Sequence, residues 1–329
     1  MRDNTRRLAS PLRYRPKWPA ALLALAVLTT GTACTVQAAE ARDRISVNAP
    51  ATAPAPAPLD ARGVRDELKR LEATHHVRIG AYALDTVTGR TLSYRGNESF
   101  PSLSTFKAME CAAVLDTARR SEPGLLDKVV HWKQSDEVPN SPVTAGQGTI
   151  GMTVAQLCRA AITRSDNTAG NLLLDRIGGP GGMTRYYRSL GDPVSRLDRR
   201  EPELNDWKPG ERRDTTTPSA MGRDLGKTSV GNGLAPADRA QLNTWLRATV
   251  TGDERIRAGL PKDWTVGDKT GTTDAYGAAN DIAVAWPPSG HPVIIAIYTN
   301  HPTADAGADN EAIAATTRAL VRGLAVRTP

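Results

Sequence analysis

The chain has 329 residues, of which 40% are hydrophobic and 23% charged. This length and composition allow a sizeable buried core in one or two domains. Of the formal net charge of +7, residues 1–39 carry +5 and the remaining residues only +2, so no basic patch is evident in the folded part and we expect no nucleic-acid partner.

The first 39 residues predict an export signal. Six basic residues lead into an apolar run at 20–28, which is too short to cross a bilayer but typical of a secretion signal. Small residues at 36–38 offer a cleavage site. We therefore expect a secreted or periplasmic protein without a stable membrane span.

Two other export routes remain open. Cys34 follows small residues and offers a lipid anchor at a lipoprotein junction, and the Arg6-Arg7 pair is compatible with twin-arginine export. Residues 40–59 are rich in alanine and proline and predict an extended linker. The folded body is expected to begin near Asp60.

The cysteine count predicts a disulfide. The chain has three cysteines, and if Cys34 is removed or lipidated, Cys111 and Cys158 remain as a pair. A bridge between them would close a loop of about 50 residues and contribute about 4 kcal/mol in the chain-entropy model. The alternative is two buried free thiols.

Taken in order, the apolar spacing predicts strands at both ends of the folded part and helices between them. A helix after Asp60 precedes strands at 77–85 and 91–94, and helical patterns follow at 154–163, 169–177 and 239–250. Strands are predicted at 264–269, 281–286 and 292–298, followed by a closing helix.

This order indicates an α+β fold. We expect an antiparallel five-stranded sheet flanked by helices, formed by residues 60–101 and 248–329, with an inserted all-α domain at 102–247. A cleft between the two parts would be a common place for a ligand.

One helix start carries a nucleophile and an amine. Ser104 and Lys107 lie three positions apart, so on a helix their side chains share one face. The free N–H groups and the dipole of a helix N-terminus would also favour an alkoxide or oxyanion. Taken alone, a Ser-x-x-Lys pattern more often marks a capped helix start with a surface lysine than an active site.

Three further stretches bear on this serine. Ser165-Asp166-Asn167 lies between predicted helices, Lys269-Thr270-Gly271-Thr272 ends a predicted strand, and Glu201-Pro202-Glu203-Leu204-Asn205 lies in a loop. Each stretch alone is more often a turn, a strand end or a solvated loop.

Together and in this order, the stretches resemble those of class A serine β-lactamases, which carry Ser-x-x-Lys, Ser-Asp-Asn and Lys-Thr-Gly. The resemblance extends from about Asp60 to the end of the chain. It implies the serine β-lactamase and DD-peptidase-like fold, a β-lactam substrate, a monomer and no cofactor or metal.

The resemblance also implies roles for individual residues. Ser104 would be the nucleophile beside Lys107, and Ser165 would pass a proton to the departing nitrogen. Glu201 would activate the deacylating water. Asn167 would bind the side-chain amide of the substrate, and Asn205 would help to position the water. The substrate carboxylate would be bound by Lys269, Thr270 and Thr272.

An arginine is also expected near the substrate carboxylate. Since Asn280 occupies the strand position at which other members carry it, the resemblance favours Arg255, with a surface arginine as the alternative. Two departures, Leu103 before the nucleophile and Asn140 in place of an aromatic residue, leave the substrate range open.

Other functions remain alternatives. A penicillin-binding DD-peptidase shares the first three stretches but normally lacks the Glu201 loop, and a β-lactam sensor would be acylated without turnover. A metal-dependent lactamase is disfavoured, because His75-His76 is the only histidine pair in the sequence.

Overall fold

The computed structural model describes residues 59–325. The predicted leader, Cys34, the pair Arg6-Arg7, nearly all of the linker and the last four residues lie outside the described residues. Within 59–325, no helix is both long and apolar enough to cross a membrane.

The secondary structure follows the predicted order, with strands near both ends and helices between them. The helices are α1 (Ala61–His75), α2 (Phe106–Arg120), α3 (Val154–Thr163), α4 (Asn167–Ile177), α5 (Gly179–Ser189), α6 (Pro218–Ser229), α7 (Pro236–Arg247), α8 (Ile256–Gly259) and α9 (Asn310–Leu324). The strands are β1 (Arg78–Asp85), β2 (Thr91–Tyr94), β3 (Phe100–Pro101), β4 (Val129–Val130), β5 (Met152–Thr153), β6 (Thr215–Thr216), β7 (Thr265–Thr272), β8 (Ala279–Trp286) and β9 (Val293–Asn300).

The main sheet has five strands in the order β2-β1-β9-β8-β7, and every neighbouring pair is antiparallel. The predicted antiparallel sheet built from both ends of the chain is therefore confirmed. The shorter strands form two separate pairs, β3 with β6 and β4 with β5. The division into a mixed domain and an inserted helical domain stays a prediction.

Strand β9 is buried along its whole length because helices cover both faces of the sheet. Successive side chains point to opposite faces, so alternate residues join different clusters. Ile294, Ala296 and Tyr298 pack with the central helices, whereas Ile295 and Ile297 pack with α1 and α9. This two-sided burial explains why the sequence shows a nearly continuous apolar run here.

Local sequence explains where several helices begin. The Asp60 carboxylate accepts a hydrogen bond from the backbone of Gly63 and caps α1, the helix predicted after this residue. Helix α7 begins at Pro236, because proline is favoured in the first helical turn, where its missing N–H costs nothing. Helix α2 follows directly on a 3₁₀ turn, Leu103–Thr105, which contains the predicted nucleophile.

Candidate active site

Ser104 lies at the N-terminal end of α2 with two catalytic-type groups in reach. Lys107 Nζ donates a hydrogen bond to Ser104 Oγ at 3.0 Å, and Ser104 Oγ donates one to Glu201 Oε1 at 3.2 Å. Ser104 is only 7% exposed. A hydroxyl held between an amine and a carboxylate is the arrangement that an activated nucleophile requires.

The Lys107 amine is completely buried and has four acceptors in reach. Besides Ser104 Oγ, these are Ser165 O at 2.9 Å, Asn167 Oδ1 at 2.6 Å and Glu201 Oε1 at 2.9 Å. An ammonium group has only three donors, so these acceptors compete for its protons. Lys107 therefore joins three of the predicted stretches at one point, with its side chain wholly excluded from solvent.

The turn between α3 and α4 holds Ser165 and Asn167 in place. Asp166 caps α4 by accepting a hydrogen bond from Ala169 N at 2.8 Å. Its carboxylate also accepts hydrogen bonds from the backbone of Val143 and from both the backbone and the hydroxyl of Thr144. Asp166 was not among the predicted site residues, although an aspartate before a helical run is an ordinary capping signal.

Glu201 is 1% exposed, although it lies in an irregular loop. Asn171 holds its main chain from both sides, donating to Glu201 O at 2.8 Å and accepting from Glu201 N at 3.0 Å. The side chain of Asn205 donates to Glu201 Oε2 at 2.5 Å, and the Glu201-Pro202 peptide bond is cis. Asn171 was not among the predicted site residues, although its spacing of four from Asn167 places both on one helix face.

The neck of this loop is closed by an ion pair. Arg199 Nε donates to Asp214 Oδ2 at 2.6 Å, and the side chains are 17% and 1% exposed. Asp214 Oδ1 also accepts from the backbone of Asp198 and of Arg199, at 2.7 and 2.9 Å. We refer to residues 199–214 as the Ω loop. The ion pair that closes the neck of the loop is therefore largely buried.

Strand β7 brings the Lys-Thr-Gly stretch against the serine. A Cβ added at Gly271 would lie 2.9 Å from Leu103 Cβ and 3.1 Å from Ser104 N, so only glycine permits this approach. Lys269 Nζ donates to Ser165 Oγ at 3.0 Å. Burial, together with the charge of Lys107, lowers the pKa of Lys269 to about 7.

Arg255 is not a surface arginine, since it is only 6% exposed. Its guanidinium donates to Thr272 Oγ1 at 2.7 Å, and to the carbonyl oxygens of Gly271 and Asn280 at 2.9 and 2.8 Å. Burial lowers its pKa. Thr272 is exposed, and the Thr270 hydroxyl forms a hydrogen bond with the Thr251 hydroxyl. The contact of Arg255 with Thr272 places Arg255, Lys269 and Thr272 at one end of β7.

The two cysteines of the predicted disulfide are close neighbours in the structure, and the bond between them stays a prediction. Cys111 and Cys158 are free, fully buried thiols, with Cys111 Sγ 3.6 Å from the carbonyl oxygen of Cys158. The Cys111 thiol is directed at this backbone oxygen, so the two cysteines are neighbours without a bond between them. Burial strongly raises the pKa of the Cys111 thiol.

No group of three or more histidine, cysteine, aspartate or glutamate side chains within residues 59–325 is arranged to hold a metal ion. In the predicted pair His75-His76, the His75 ring instead bonds to Asp309 Oδ2 at 2.8 Å.

Comparison with known proteins identifies the family of this chain. A family model described as the β-lactamase enzyme family matches residues 63–324. The chain belongs to this family. A β-lactamase from Streptosporangium roseum of known structure is 60% identical, with a TM-score of 0.79 over 79% of this chain and 98% of that chain.

The chain is also similar to other β-lactamases. The β-lactamase AST-1 of Nocardia asteroides is 51% identical over 77% of this chain and 81% of that protein. The carbapenem-hydrolysing β-lactamase KPC of Klebsiella oxytoca is 46% identical over 80% of this chain and 89% of that protein. An ancestral class A β-lactamase structure is 49% identical, with a TM-score of 0.75 over 79% of this chain and 99% of that chain. The class A resemblance and the prediction of a β-lactam hydrolase are confirmed.

Proposed function

We propose that the protein hydrolyses the amide bond of penicillins, and of cephalosporins, through a serine acyl-enzyme and thereby confers antibiotic resistance. The observation that carries this proposal is the buried contact of Ser104 Oγ with both Lys107 Nζ and Glu201 Oε1, at 3.0 and 3.2 Å. An amine and a carboxylate beside one hydroxyl provide the groups needed for forming the acyl-enzyme and for hydrolysing it.

Acylation begins with attack of Ser104 Oγ on the lactam carbonyl. The serine proton passes to Lys107 or to Glu201, and both groups lie within hydrogen-bond distance of Ser104 Oγ. The backbone N–H groups of Ser104 and Thr272 form the oxyanion hole. The close approach of β7 to the serine backbone at Gly271 supports this assignment.

Ser165 passes a proton to the departing lactam nitrogen. Its hydroxyl accepts a hydrogen bond from Lys269, and its carbonyl oxygen accepts one from Lys107. These two lysines make a positive environment in which the serine hydroxyl can release its own proton to the nitrogen. Proton transfer to the nitrogen completes cleavage of the amide bond.

The substrate carboxylate binds at the end of β7. Lys269, Thr270 and Thr272 supply hydrogen-bond donors, and buried Arg255 adds positive charge while it orients the Thr272 hydroxyl. Asn167 binds the substrate side-chain amide. Its own side chain is fixed by Lys107 and by the carbonyl oxygen of Pro139, to which its Nδ2 donates at 3.0 Å.

Deacylation depends on Glu201. Its carboxylate activates a water held with Asn205, and this water attacks the ester carbon. Glu201 is buried, and Asn171 forms two hydrogen bonds with its backbone. Both observations support a fixed general base rather than a solvated loop carboxylate. Turnover, as opposed to simple acylation, therefore depends on the Ω loop.

The experiment uses the purified mature protein and a chromogenic cephalosporin. We expect repeated hydrolysis without added metal, and accumulation of a covalent adduct on Ser104 in the Glu201→Ala variant, detected by intact mass. If the unmodified protein is acylated stoichiometrically without turnover, the proposal fails in favour of a sensor or a DD-peptidase. Hydrolysis of a D-Ala-D-Ala peptide identifies the peptidase.

We further propose that the protein is exported and acts as a monomer. The basic, apolar leader supports export, and intact mass of the exported protein would distinguish cleavage after Ala38 from lipidation at Cys34. A dimer in size-exclusion chromatography would contradict the monomer.

We also propose that Cys111 and Cys158 form a disulfide after export. Their proximity in the fold supports this pairing.

A further inference from the structure

A cavity of about 570 Å³ lies beside the Ω loop, and none of the catalytic or substrate-binding residues named above lines it. The Ω loop contributes Trp207 and residues 209–212 to its lining. The rest of the lining includes Arg78 of β1, Arg188 of α5 and Asn300 of β9. Its volume lies in the range of small-molecule sites, so the cavity is a candidate site separate from that of the β-lactam.

The lining of this cavity is basic. Its charged members are four arginines and one glutamate, with a formal charge of +3: Arg78, Arg188, Arg196, Arg212 and Glu211. Glu98 and Asp198 pair with Arg78 and Arg196, and Glu211 itself pairs with Arg213. Arg188 and Arg212 form no ion pair within residues 59–325, so their charges are not offset by a carboxylate contact. Two such guanidinium groups beside one cavity favour an anionic ligand.

Two of the arginines are held in place by their surroundings. The guanidinium carbon of Arg78 lies 3.8 Å from the centroid of the Phe100 ring. Arg188 Nη1 donates to the carbonyl oxygens of Asp192 and Ser195, at 2.6 and 2.8 Å. These carbonyl contacts fix the Arg188 guanidinium without neutralising it. Cations that are already fixed bind an anion at a lower cost in side-chain entropy.

The Ω loop adds two donors that lack acceptors in the described part of the chain. The hydrogen bonds of Arg212 there are made by its backbone, with Glu211 Oε1 at 2.8 Å and the Thr215 hydroxyl at 2.9 Å, so its exposed guanidinium is available. Trp207 is 6% exposed, and its buried Nε1 has no hydrogen-bond partner. A buried N–H group in a cavity wall calls for an acceptor from outside the chain.

We propose that this cavity binds a small multivalent phosphate, such as a diphosphate or a phosphorylated small molecule. The planar fork of a guanidinium matches the oxygens of a phosphate, and a lining charge of +3 favours a ligand with more than one negative charge. Pro193 and Val194, the latter 45% exposed, provide an apolar part of the lining for an attached organic group.

The bound phosphate would bridge Arg212 of the Ω loop and Arg188 of α5, and would thereby tie the loop to the rest of the fold. This inference goes beyond the proposed function and does not depend on it.

The test is calorimetric titration of the purified protein with sodium pyrophosphate, at constant ionic strength and without divalent cations. We expect one binding site in the unmodified protein. Affinity should fall about tenfold in Arg212→Gln, which loses a charged donor, and binding should be lost in Arg212→Glu, which places a negative charge at the site. Hydrogen exchange of the amides of residues 207–212 should slow with pyrophosphate in the unmodified protein but not in Arg212→Glu.

A matched control is Arg185→Gln. Arg185 is exposed on the same helix as Arg188 but does not line the cavity, so its substitution should leave the affinity unchanged. Arg188→Gln should also weaken binding about tenfold. Should the loss of its two carbonyl contacts prevent folding, the Arg212 variants still decide the question, because the Arg212 guanidinium has no contact to lose.

The proposal is overturned if pyrophosphate at about 10 mM does not bind, or if Arg212→Glu binds it as tightly as the unmodified protein. The second result would place the anion elsewhere, for example beside Lys269. Equal weakening in Arg185→Gln would reveal an effect of net charge alone and would also overturn the site. Equal affinity for sulfate would overturn the assignment to a multivalent phosphate.

Discussion

Removal of the Arg199 side chain should destabilise the protein and slow turnover. Asp214 is 1% exposed at the neck of the Ω loop, and Arg199→Ala leaves its carboxylate with two backbone donors but no cation. Breaking a buried pair from one side typically costs 3–5 kcal/mol. Because Arg199 is 17% exposed, we take about 3 kcal/mol, which corresponds to a fall in Tm of roughly 6–12 °C for a chain of this size.

The matched control for this change is Arg213→Ala in the same loop. Arg213 is paired with Glu211, but its side chain is 53% exposed, and such a surface pair contributes at most about 1 kcal/mol. Thermal unfolding and urea titration measure the two effects. Stopped-flow kinetics should show slower deacylation in Arg199→Ala, because Glu201 lies two residues from the broken pair.

Equal Tm values for the Arg199→Ala and Arg213→Ala variants would contradict a stabilising role of the buried Arg199–Asp214 pair. Slower acylation with unchanged deacylation would refute the functional part, since the Ω loop supplies the base for the second step.

Three other predictions concern the site and the cysteines. Because the pKa of Lys269 is about 7, its charge is present below that pH and lost above it, so kcat/KM for an anionic β-lactam should fall towards higher pH. In Lys269→Arg, a pH titration should lack this limb, and an unchanged limb would contradict the assignment. Gly271→Ala should reduce kcat/KM by about a hundredfold or more by displacing β7 from the oxyanion hole, whereas Gly307→Ala, with open space at its Cβ position, should be neutral. Equal steady-state kinetics of the two variants would exclude this steric role. Oxidised mature protein should show no free thiol for Cys111 and Cys158 in a denaturing thiol assay, and reduction should lower its stability to urea by about 4 kcal/mol; two titratable thiols would exclude the disulfide.

The alternation and spacing of the sequence were sufficient to predict most of the fold. Strands β7, β8 and β9 were located because their apolar residues occur in short runs bounded by turn residues. Helix boundaries were less accurate where capping decided them. Helix α4 begins at Asn167 rather than near Ala169 because Asp166 caps it, and α7 begins and ends about three residues earlier than predicted.

The residue types available for chemistry could be read from the sequence, because the nucleophile, the lysines, the glutamate and the asparagine all lie in short local patterns. How these groups meet depends on the folded chain. Ser104 and Glu201 are 97 positions apart, and their contact depends on Asn171, Arg199 and Asp214, none of which belongs to the Ser-x-x-Lys, Ser-Asp-Asn or Lys-Thr-Gly patterns.

The burial of individual side chains could likewise not be predicted from local sequence patterns. Whether Glu110 is a surface carboxylate or a buried acid, and whether Arg255 is solvated or enclosed, depends on which distant elements cover each side chain. Spacing along one helix or strand reports neighbours within that element, but the solvation and pKa of a group are set by atoms far away in sequence. For this reason the catalytic groups could be proposed from the sequence, while the charge environment of Lys107 required the folded chain.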